Sequence, residues 1–514
     1  MRYVLNSQFV LRGWKRLPWA VMHRPENSVR FLDASTFRAL ELCDGAIDFD
    51  LPIITDRLRE IVMELERWGV VRALADGEHA ALAHDQRYAR YPNRFIETAH
   101  WSITGRCNYR CRHCFMDAPG AKLGELDHDT VMDIARQIVE AGILRVSLTG
   151  GEPLVRGDFL EIVGFLAEHH VLVSQIYSNG RLVTRELLET LADLGVHPEI
   201  NMSFDGTEGW HDWLRGVDGA TDDVLRAFDL CSEIGFPTGA EMCLHKGNIH
   251  TLRDSVNLLA EHGCSSLKTN PVASTDAWEK HGRRDYDLST EEVAEAYLGY
   301  IPHYFEDGMP LSIMLGGMFS CEKGSVDWSV PRSRSAVCDA EVEPGGDIEK
   351  ACLAACVCGH ARSTLYISPE GRMLPCMPLS ALPDQSGFPT VQEVGLVQGL
   401  SDSEYFRLIT TTVAEYLEHN PECAACEHRL SCGGGCRGSA LLTTPDDVMA
   451  PDRAICALYR RGYYDRVREV AQGAVAARGK GEAIVGGDED DKRGRASLVE
   501  SGRVAEAENE RRPS

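Results

Sequence analysis

The sequence has no long hydrophobic run and no surplus of basic residues. No apolar stretch among its 514 residues approaches the roughly 20 that a membrane span requires. The first residues, MRYVLNSQFVLRGWKRLPWA, lack the apolar core of a signal peptide. Lysine and arginine total 53 against 78 acidic residues, and the net charge of −25 disfavours nonspecific binding to nucleic acid or anionic membrane. We therefore expect a cytoplasmic protein that binds neither.

Structural disulfides are also not expected, because the cytoplasm keeps thiols reduced. The 18 cysteines are instead unevenly spaced, and short mixed spacings in a reducing compartment indicate metal binding. Three groups stand out: Cys107, Cys111 and Cys114; Cys352, Cys356, Cys358 and Cys376; and Cys423, Cys426, Cys432, Cys436 and Cys456. Four isolated cysteines, Cys43, Cys231, Cys243 and Cys264, are interpreted as small core residues.

The middle of the chain alternates strand and helix patterns. Six segments are predicted strands: HWSITG, RVSLTGG, VLVSQIYSNG, EINMSFDG, GAEMCLH and SSLKTNP. Helical patterns such as TRELLETLADLG and TDDVLRAFDLCSEIG separate them, which indicates a parallel sheet. We predict an α/β fold with a partial (βα)6, TIM-like barrel over 97–276. Its site should lie at the carboxyl ends of the strands, where TGRCNYRC, TGGEP, YSNG, SFDG and EMCLHKGN fall.

The first cysteine group supplies three thiolates, one fewer than a closed tetrahedral site needs. A zinc site would require a fourth ligand, and His113 sits in the same tight loop, where we expect it to point away from the metal. A 4Fe-4S cube suits three thiolates better, because the fourth iron stays open to a small molecule. The loop is therefore predicted to hold a catalytic cluster.

The CxxxCxxC spacing resembles the signature of the radical S-adenosylmethionine (AdoMet) superfamily, with His113 where that family usually has an aromatic residue. The resemblance implies that the open iron binds AdoMet and that reductive cleavage yields a 5′-deoxyadenosyl radical. It also implies that Gly150, Gly151 and Glu152 serve the AdoMet amino group. Ser178, Asn179, Ser203 and Asp205 would meet the ribose and methionine portions, and Arg215 would pair with the carboxylate. Each of these polar residues could equally be a turn or cap residue.

The C-terminal cysteines allow two interpretations. Cys423, Cys426, Cys432 and Cys436 could form a zinc ribbon, but that leaves the Cys358–Gly371–Cys376 pattern and Cys456 unexplained. The whole order, over a predicted domain at 351–470, resembles the SPASM extension, which carries two auxiliary 4Fe-4S clusters. By that resemblance Cys358, Cys376 and Cys436 ligate the first, and Cys423, Cys426, Cys432 and Cys456 the second. Cys352 is the best fourth ligand of the first, with Cys356, Cys338 or none as alternatives.

Residues 1–76 are predicted to form a separate small α+β, winged-helix-like domain. A hairpin-like pair precedes the helix STFRALELCDG, with Ser or Thr as N-cap, and a second helix carries Leu58, Ile61, Val62, Leu65 and Trp68 on one face. Nucleic-acid binding is disfavoured, since residues 1–80 contain 11 basic and 12 acidic residues. FLDASTFRALELCDG is similar to the RiPP recognition element, which captures leader peptides of ribosomally made natural products by strand addition.

The remaining segments are a linker at 77–96, a bridging region at 277–350 and a disordered tail at 471–514, which is rich in Gly, Ala and charge. Together the resemblances imply an enzyme that crosslinks or otherwise oxidises a precursor peptide, with an electron donor such as flavodoxin or ferredoxin. Two alternatives stay open. One is radical AdoMet oxidation of a small metabolite or a protein partner, and the other is a zinc-stabilised binding or regulatory protein.

Overall fold

The computed structural model describes residues 1–482 except 26–27, 117, 119–122, 274, 282–283, 332–346, 383, 402–409, 445–446 and 448. These residues form two compact units. The first comprises Met1–Phe95 and Glu140–Leu144, and the second Ile96–Val139 and the described residues from Arg145 onward. No described helix combines the length and the apolar character required to cross a bilayer.

The first unit contains two small sheets and two helices. In chain order its elements are β1 (Arg2–Leu5), β2 (Phe9–Gly13), β3 (Ala20–His23), β4 (Ser28–Phe31), α1 (Ala34–Leu42), β5 (Asp44–Asp48), α2 (Asp56–Arg67), β6 (Val71–Ala73) and β7 (Ala89–Arg90). One sheet has the order β5-β1-β6 and the other β4-β3-β2-β7. The core between them is apolar and includes Leu40, Val62 and Val71.

Three details of the first unit differ from expectation. The N-cap of α1 is Asp33, whose carboxylate accepts hydrogen bonds from the Ser35 and Thr36 backbone amides at 2.8 and 3.0 Å. Trp68 is not part of the buried face of α2, because the helix ends before it and its side chain is 54% exposed. The predicted linker contributes β7, which pairs in parallel with β2, so it is an integral part of the unit.

The second unit is organised around one eleven-stranded sheet. Its strands are β8 (Thr98–Ser102), β9 (Arg145–Thr149), β10 (Leu172–Ser178), β11 (Glu199–Ser203), β12 (Thr238–Leu244), β13 (Ser266–Pro271), β14 (Ser312–Leu315), β15 (Phe319–Cys321), β16 (Trp328–Ser329), β17 (Thr364–Ile367) and β18 (Met373–Leu374). The order is β16-β15-β14-β13-β12-β11-β10-β9-β8-β17-β18, and every pair from β17 through β8 to β14 is parallel.

Helices follow the parallel strands in turn. They are α3 (His128–Ala141), α4 (Phe159–Glu168), α5 (Arg185–Asp193), α6 (Trp210–Arg215), α7 (Ala220–Ile234), α8 (Leu252–Glu261), α9 (Asp276–His281) and α10 (Thr290–Glu306). The six predicted strand-then-helix units are all present, which confirms the α/β, partial-barrel fold class. Apolar residues such as Met202 and Met242 are buried on the side of the sheet where α7 packs against β11 and β12.

The C-terminal part is helical and short-segmented. Its helices are α11 (Ile348–Ala354), α12 (His360–Ser363), α13 (Val391–Val394), α14 (Leu396–Gly399), α15 (Val413–His419), α16 (Pro421–Ala424), α17 (Arg429–Cys432), α18 (Arg437–Thr443), α19 (Arg453–Arg460) and α20 (Tyr463–Glu482). The hairpin β17–β18 extends the central sheet beside β8. The predicted disordered tail begins too early, because α20 continues to Glu482; residues 483–514 lie outside the described residues.

Candidate active site and cysteine clusters

The loop after β8 carries Cys107, Cys111 and Cys114, and the backbone around it is firmly anchored. The Arg110 and Arg112 amides donate to the carbonyl oxygens of Arg215 and Leu214 at 3.3 and 2.9 Å. These bonds attach the loop to α6, which follows β11. The loop thus lies at the carboxyl end of the sheet, where the Cys111 and Cys114 thiols are close enough to Cys107 to raise its pKa further, after burial. That the three thiols ligate one cluster stays a prediction.

The Gly-Gly-Glu turn after β9 supports this loop from the other side. The Gly151 amide donates to the Thr104 carbonyl and the Glu152 amide to the Arg106 carbonyl, both at 2.9 Å. A Cβ atom at position 151 would overlap the Arg106 carbonyl oxygen, so only glycine permits this approach. At Gly150, φ is +154° and a Cβ would crowd Thr104. Both glycines therefore position the cysteine loop.

Glu152 is completely buried, and its carboxylate accepts three different donors of the chain. The Asn179 amide donates at 2.7 Å, the Ser178 hydroxyl at 3.1 Å and the Leu154 amide at 3.2 Å. Burial raises the pKa of Glu152 to about 7, against the opposing effect of these donors. The carboxylate thus ties the end of β9 to the end of β10. An additional bond to AdoMet stays a prediction.

Asn179 links this network to the first cysteine. Its side-chain amide donates to the Asn108 carbonyl oxygen at 2.6 Å and lies 4.0 Å from the Cys107 sulfur. The Tyr109 backbone amide donates to the same sulfur at 3.4 Å. Burial raises the pKa of Cys107 to about 12, and the Tyr109 amide opposes this rise, since a donor directed at a sulfur stabilises the thiolate form that ligates metal.

Asp205 and Arg215 form a buried ion pair beside the second cysteine. The Arg215 Nε donates to Asp205 Oδ2 at 2.6 Å, and its Nη1 lies 3.8 Å from the Cys111 sulfur. Burial acts to raise the pKa of Asp205, but the guanidinium and the His211 ring outweigh it and hold that pKa below its usual range. Arg215 therefore already has an internal anion partner. Ser203 is half-buried at the end of β11.

One residue that the sequence interpretation placed in the core, Cys243, lies at this site. One ligand atom each of His113, Asp205 and Cys243 fall within 4.8 Å of one another. Cys43, Cys231 and Cys264 are buried core residues as predicted, but Cys243 is partly exposed at the site, so its assignment was wrong. Its position in EMCLHKGN, at a strand end, was the available signal. His113 is buried, and its Nδ1 finds no hydrogen-bond partner among the described residues.

The second cysteine-lined site is a cavity in the helical C-terminal part. Four cysteines, Cys423, Cys426, Cys432 and Cys456, line it together with Tyr416, Asp452 and Tyr459. Burial raises the pKa of Cys432 to about 12. A thiol in such surroundings ionises when a metal coordinates it, so four convergent thiols fit a closed four-ligand cluster.

The third group is less complete. A Cβ added at Gly438 would lie 3.2 Å from the Cys376 sulfur and 3.7 Å from the Cys436 sulfur, so both thiols lie next to the same point of the backbone. Burial raises the pKa of Cys358 to about 11, and the neighbouring Cys436 and Cys356 thiols add to the effect. These three cysteines can therefore share one cluster.

The candidates for its fourth ligand are differently placed. Cys352 is 2% exposed within an apolar cluster that includes Val357 and Tyr416. Cys356 is partly exposed and forms an isolated bridge with Thr412. Cys338 lies outside the described residues. The choice among Cys352, Cys356, Cys338 and no fourth protein ligand stays open.

Residues 101–259 match the model of the Radical SAM superfamily. PqqA peptide cyclase of Gluconobacter oxydans is 27% identical over 375 residues, covering 72% of this chain and 92% of that protein. AdoMet-dependent heme synthase of Methanosarcina barkeri is 25% identical over 368 residues, with coverages of 67% and 92%. The structure of Streptococcus suis SuiB bound to precursor peptide SuiA aligns with a TM-score of 0.60 at 14% identity, over 88% of this chain and 99% of that one. The fold is therefore shared across most of the described residues.

Proposed function

We propose that this chain, an enzyme with a radical SAM domain, modifies a ribosomally made precursor peptide. The observation that carries the proposal is the extent of the structural match to a peptide-bound protein, which at 88% of this chain reaches beyond the barrel. Similarity to a peptide cyclase over 72% of the chain supports the same substrate class. The bond formed is a thioether or carbon–carbon crosslink, or the product of another peptide oxidation.

The cysteines define which residues would hold the cofactors. Cys107, Cys111 and Cys114 would hold the 4Fe-4S cluster that binds AdoMet, and Cys423, Cys426, Cys432 and Cys456 an auxiliary 4Fe-4S cluster. Cys358, Cys376 and Cys436 would hold the other auxiliary cluster, with Cys352 as the preferred fourth ligand. When bound, the first cluster and AdoMet supply a 5′-deoxyadenosyl radical, and the auxiliary clusters supply an electron acceptor.

The chain's own contribution is positioning. Gly150 and Gly151 keep the cysteine loop against β9, and Glu152 ties Ser178 and Asn179 to the same point. The Asp205–Arg215 pair fixes a guanidinium next to Cys111, where it would favour a bound carboxylate, and Ser203 lies at the adjacent strand end. These residues would form the AdoMet site, and an electron donor such as flavodoxin or ferredoxin would reduce the enzyme in the cytoplasm.

The first unit would bind the leader of the precursor. β4 is an edge strand of its four-stranded sheet, so its outer backbone groups are available for strand addition. The Arg30 guanidinium of β4 lies 4.7 Å from the ring centroid of Trp68, which brings the exposed end of α2 beside this edge. Trp68 and Met63 are 54% and 57% exposed, and offer apolar contacts to a peptide lying along β4.

Co-expression with short open reading frames neighbouring the gene, followed by mass spectrometry, tests the proposal. Loss of two hydrogens from a peptide would support crosslinking, and an unchanged mass with an inverted residue would indicate epimerisation. If none of the encoded peptides reacts while the enzyme still forms 5′-deoxyadenosine, the peptide proposal is wrong.

Oxidation of a small metabolite is the second candidate, favoured by the 25% identity to a heme synthase over 67% of the chain. Trp68→Ala separates the two. A leader-dependent enzyme should lose at least tenfold in peptide turnover, whereas metabolite oxidation and peptide-free AdoMet cleavage should not change. Leu194→Ala, which truncates a comparably exposed apolar side chain of the second unit, is the matched control.

A further inference from the structure

The two faces of the central sheet have opposite character. On β11, β12 and β13 the residues Ile200, Met202, Ala240, Met242 and Leu267 alternate with the others and are at most 2% exposed. The intervening side chains are polar: Glu199, Asn201, Ser203, Glu241, Cys243, Ser266, Lys268 and Asn270. All eight are only partly buried. A closed barrel fills its interior with branched apolar side chains, whereas this partial barrel has a polar, accessible inner face.

The strand register arranges these polar side chains in rows. Ser203 pairs with Glu241, and Glu241 with Lys268, across three adjacent strands. Glu241 precedes Cys243 by two residues on β12, so it lies about 7 Å along the strand from Cys243. Cys243 in turn lies beside His113 and Asp205 of the candidate active site. The inner face therefore continues directly from the candidate active site.

A second row lies further from the active site and surrounds a glycine. Asn201 pairs with Gly239, and Gly239 with Ser266. A Cβ at Gly239 would overlap the Glu199 carboxylate and lie within 3.0 Å of the Ser266 hydroxyl and the Asn201 amide. The absent side chain at position 239 thus makes room for a polar cluster on the inner face.

Charges on this face do not balance. Lys268 Nζ donates to Glu241 Oε1 at 3.0 Å, and both side chains are about one-third exposed, at 38% and 30%. Glu199 accepts only from the Gln175 amide, at 3.4 Å, and no basic group of the described residues lies within 4.0 Å of its carboxylate. Two carboxylates thus face one ammonium group, which leaves one negative charge.

Two buried polar atoms of the inner face also lack hydrogen-bond partners among the described residues. His100, on β8, stacks on Tyr177 with ring centroids 5.0 Å apart, and its Nε2 is buried without a hydrogen-bond partner among the described residues. Asn201 Oδ1 is also buried and also has no hydrogen-bond partner among the described residues. Buried polar atoms are normally paired, so unpaired ones on this partly exposed polar face indicate a ligand that supplies the missing bonds. Burial lowers the pKa of His100 to about 4, so its ring is neutral at physiological pH and adds no positive charge.

We propose that the inner face formed by Glu199, Asn201, Glu241 and Lys268 binds a lysine or arginine side chain of the substrate. The cation would interact with the two carboxylates, and its N–H groups would donate to Asn201 Oδ1. This deepens the proposed function and depends on it, because it assigns a basic residue to the peptide segment that lies below the AdoMet site.

Blocked tripeptides test the proposal without the natural precursor. Acetyl-Gly-Lys-Gly-amide, its norleucine analogue and its glutamate analogue share a backbone and differ in side-chain charge. Their dissociation constants are measured by calorimetry on the full-length, cluster-reconstituted enzyme with AdoMet and without reductant. We expect the lysine peptide to bind at least about threefold more tightly than the norleucine peptide, and the glutamate peptide to bind most weakly.

Variants then locate the preference. Glu241→Gln and Glu199→Gln should each reduce the lysine-over-norleucine ratio, and Lys268→Met should increase it by removing the competing ammonium group. Glu233→Gln, an exposed carboxylate that pairs with Arg185, should leave the ratio unchanged. Thermal melting identifies any variant that does not fold. If a glutamine variant fails to fold, Lys268→Met and the comparison of the three peptides on the unaltered enzyme still test the inference.

Three outcomes would overturn the inference: equal binding of the lysine and norleucine peptides, tighter binding of the glutamate peptide, or no measurable binding of any of them. Adding reductant to the same preparation and measuring 5′-deoxyadenosine tests the radical AdoMet activity separately. If that nucleoside forms but the lysine preference is absent, only the inner-face inference fails. If the preference is present without the nucleoside, the inner face binds a cation as inferred, but the proposed function fails, and with it the assignment of that cation to a precursor peptide.

Discussion

The two best-formed cysteine sites of the second unit are built in opposite ways. Cys107, Cys111 and Cys114 lie within one short loop, which backbone hydrogen bonds attach to α6 and to the turn after β9. The four cysteines of the other site, from Cys423 to Cys456, lie on or between short helices and converge on one cavity.

Charged side chains lie beside both sites, so the clearest difference between them is the number of thiols. An ion pair lies against the three-thiol loop, with the Arg215 guanidinium 3.8 Å from a sulfur, and Asp452 and Arg460 line the four-thiol cavity together with Tyr416 and Tyr459. Three thiols leave a coordination position for a further ligand, and four thiols close a cluster. The first site is thus suited to binding a small molecule and the second to a cluster held by the protein alone.

Among the variants considered, Cys111→Ala should have the largest effect, because it removes a ligand from the three-thiol loop. With one thiolate removed, the AdoMet-binding cluster cannot assemble, so 5′-deoxyadenosine formation should fall below detection while iron decreases from about 12 to about 8 per chain. Anaerobic iron and sulfide analysis with liquid chromatography of the nucleoside measures both. Cys231→Ala, at a fully buried position away from the clusters, is the control. Substantial nucleoside formation by C111A would contradict the three-thiolate assignment.

Cys456→Ala should reduce peptide modification while leaving AdoMet cleavage intact. The proposed auxiliary cluster should be lost, again about four irons per chain, yet AdoMet cleavage without peptide should persist because the three-thiol loop is untouched. Peptide product should fall at least tenfold, since the electron acceptor is incomplete. Mass spectrometry of the product and nucleoside analysis of the same reaction provide the test. Equal loss of both activities would show that the sites are not separable in this way.

Arg215→Leu should lower stability by about 3–5 kcal/mol, because it leaves the Asp205 carboxylate buried without its partner. Anaerobic denaturant unfolding measures the change. Arg185→Leu breaks an ion pair whose side chains are 46% and 63% exposed, and should cost less than about 1 kcal/mol. Similar losses of unfolding free energy in the two variants would mean that the buried ion pair contributes no more to stability than the exposed one.

The smallest effect concerns pH and Glu152. The folded-state pKa of this carboxyl is raised from 4.5 to about 7, so the folded chain binds the proton more tightly than the unfolded chain does. Stability from this group is therefore fully present below pH 4.5 and is lost as the pH rises through 7, by roughly 3 kcal/mol in total. Unfolding free energies from pH 5 to 8 should show this decline, and Glu152→Gln should remove it. Glu189→Gln, an exposed carboxylate, should retain the wild-type slope; a decline that persists in E152Q would refute the assignment.

Much of the central sheet could be predicted because its signals are local. Each strand-then-helix unit can be predicted from a short apolar run followed by an amphipathic segment. The parallel order of the strands then places TGGEP, YSNG and SFDG at one edge of the sheet. The prediction failed where long-range packing decides. β7 is only two residues long and exists because β2 lies beside it, and α20 continues past residue 471 although its sequence looks too polar to pack.

The site shows the same division. CxxxCxxC identified the three thiols, but the sequence did not reveal that Glu152 accepts from Ser178 and Asn179 or that Arg215 pairs with Asp205. Cys243 was assigned to the core because its neighbours along the chain are apolar. Alternation on β12 turns it to the polar inner face instead.

The sequence by itself determined the elements, the cysteine spacings and the strand ends that carry polar loops, because these depend on residues close together in the chain. Only the tertiary structure decided which polar groups are satisfied internally and which remain available to a ligand. That outcome depends on partners tens of residues away, whose approach is set by strand register and by glycines that allow backbones to touch.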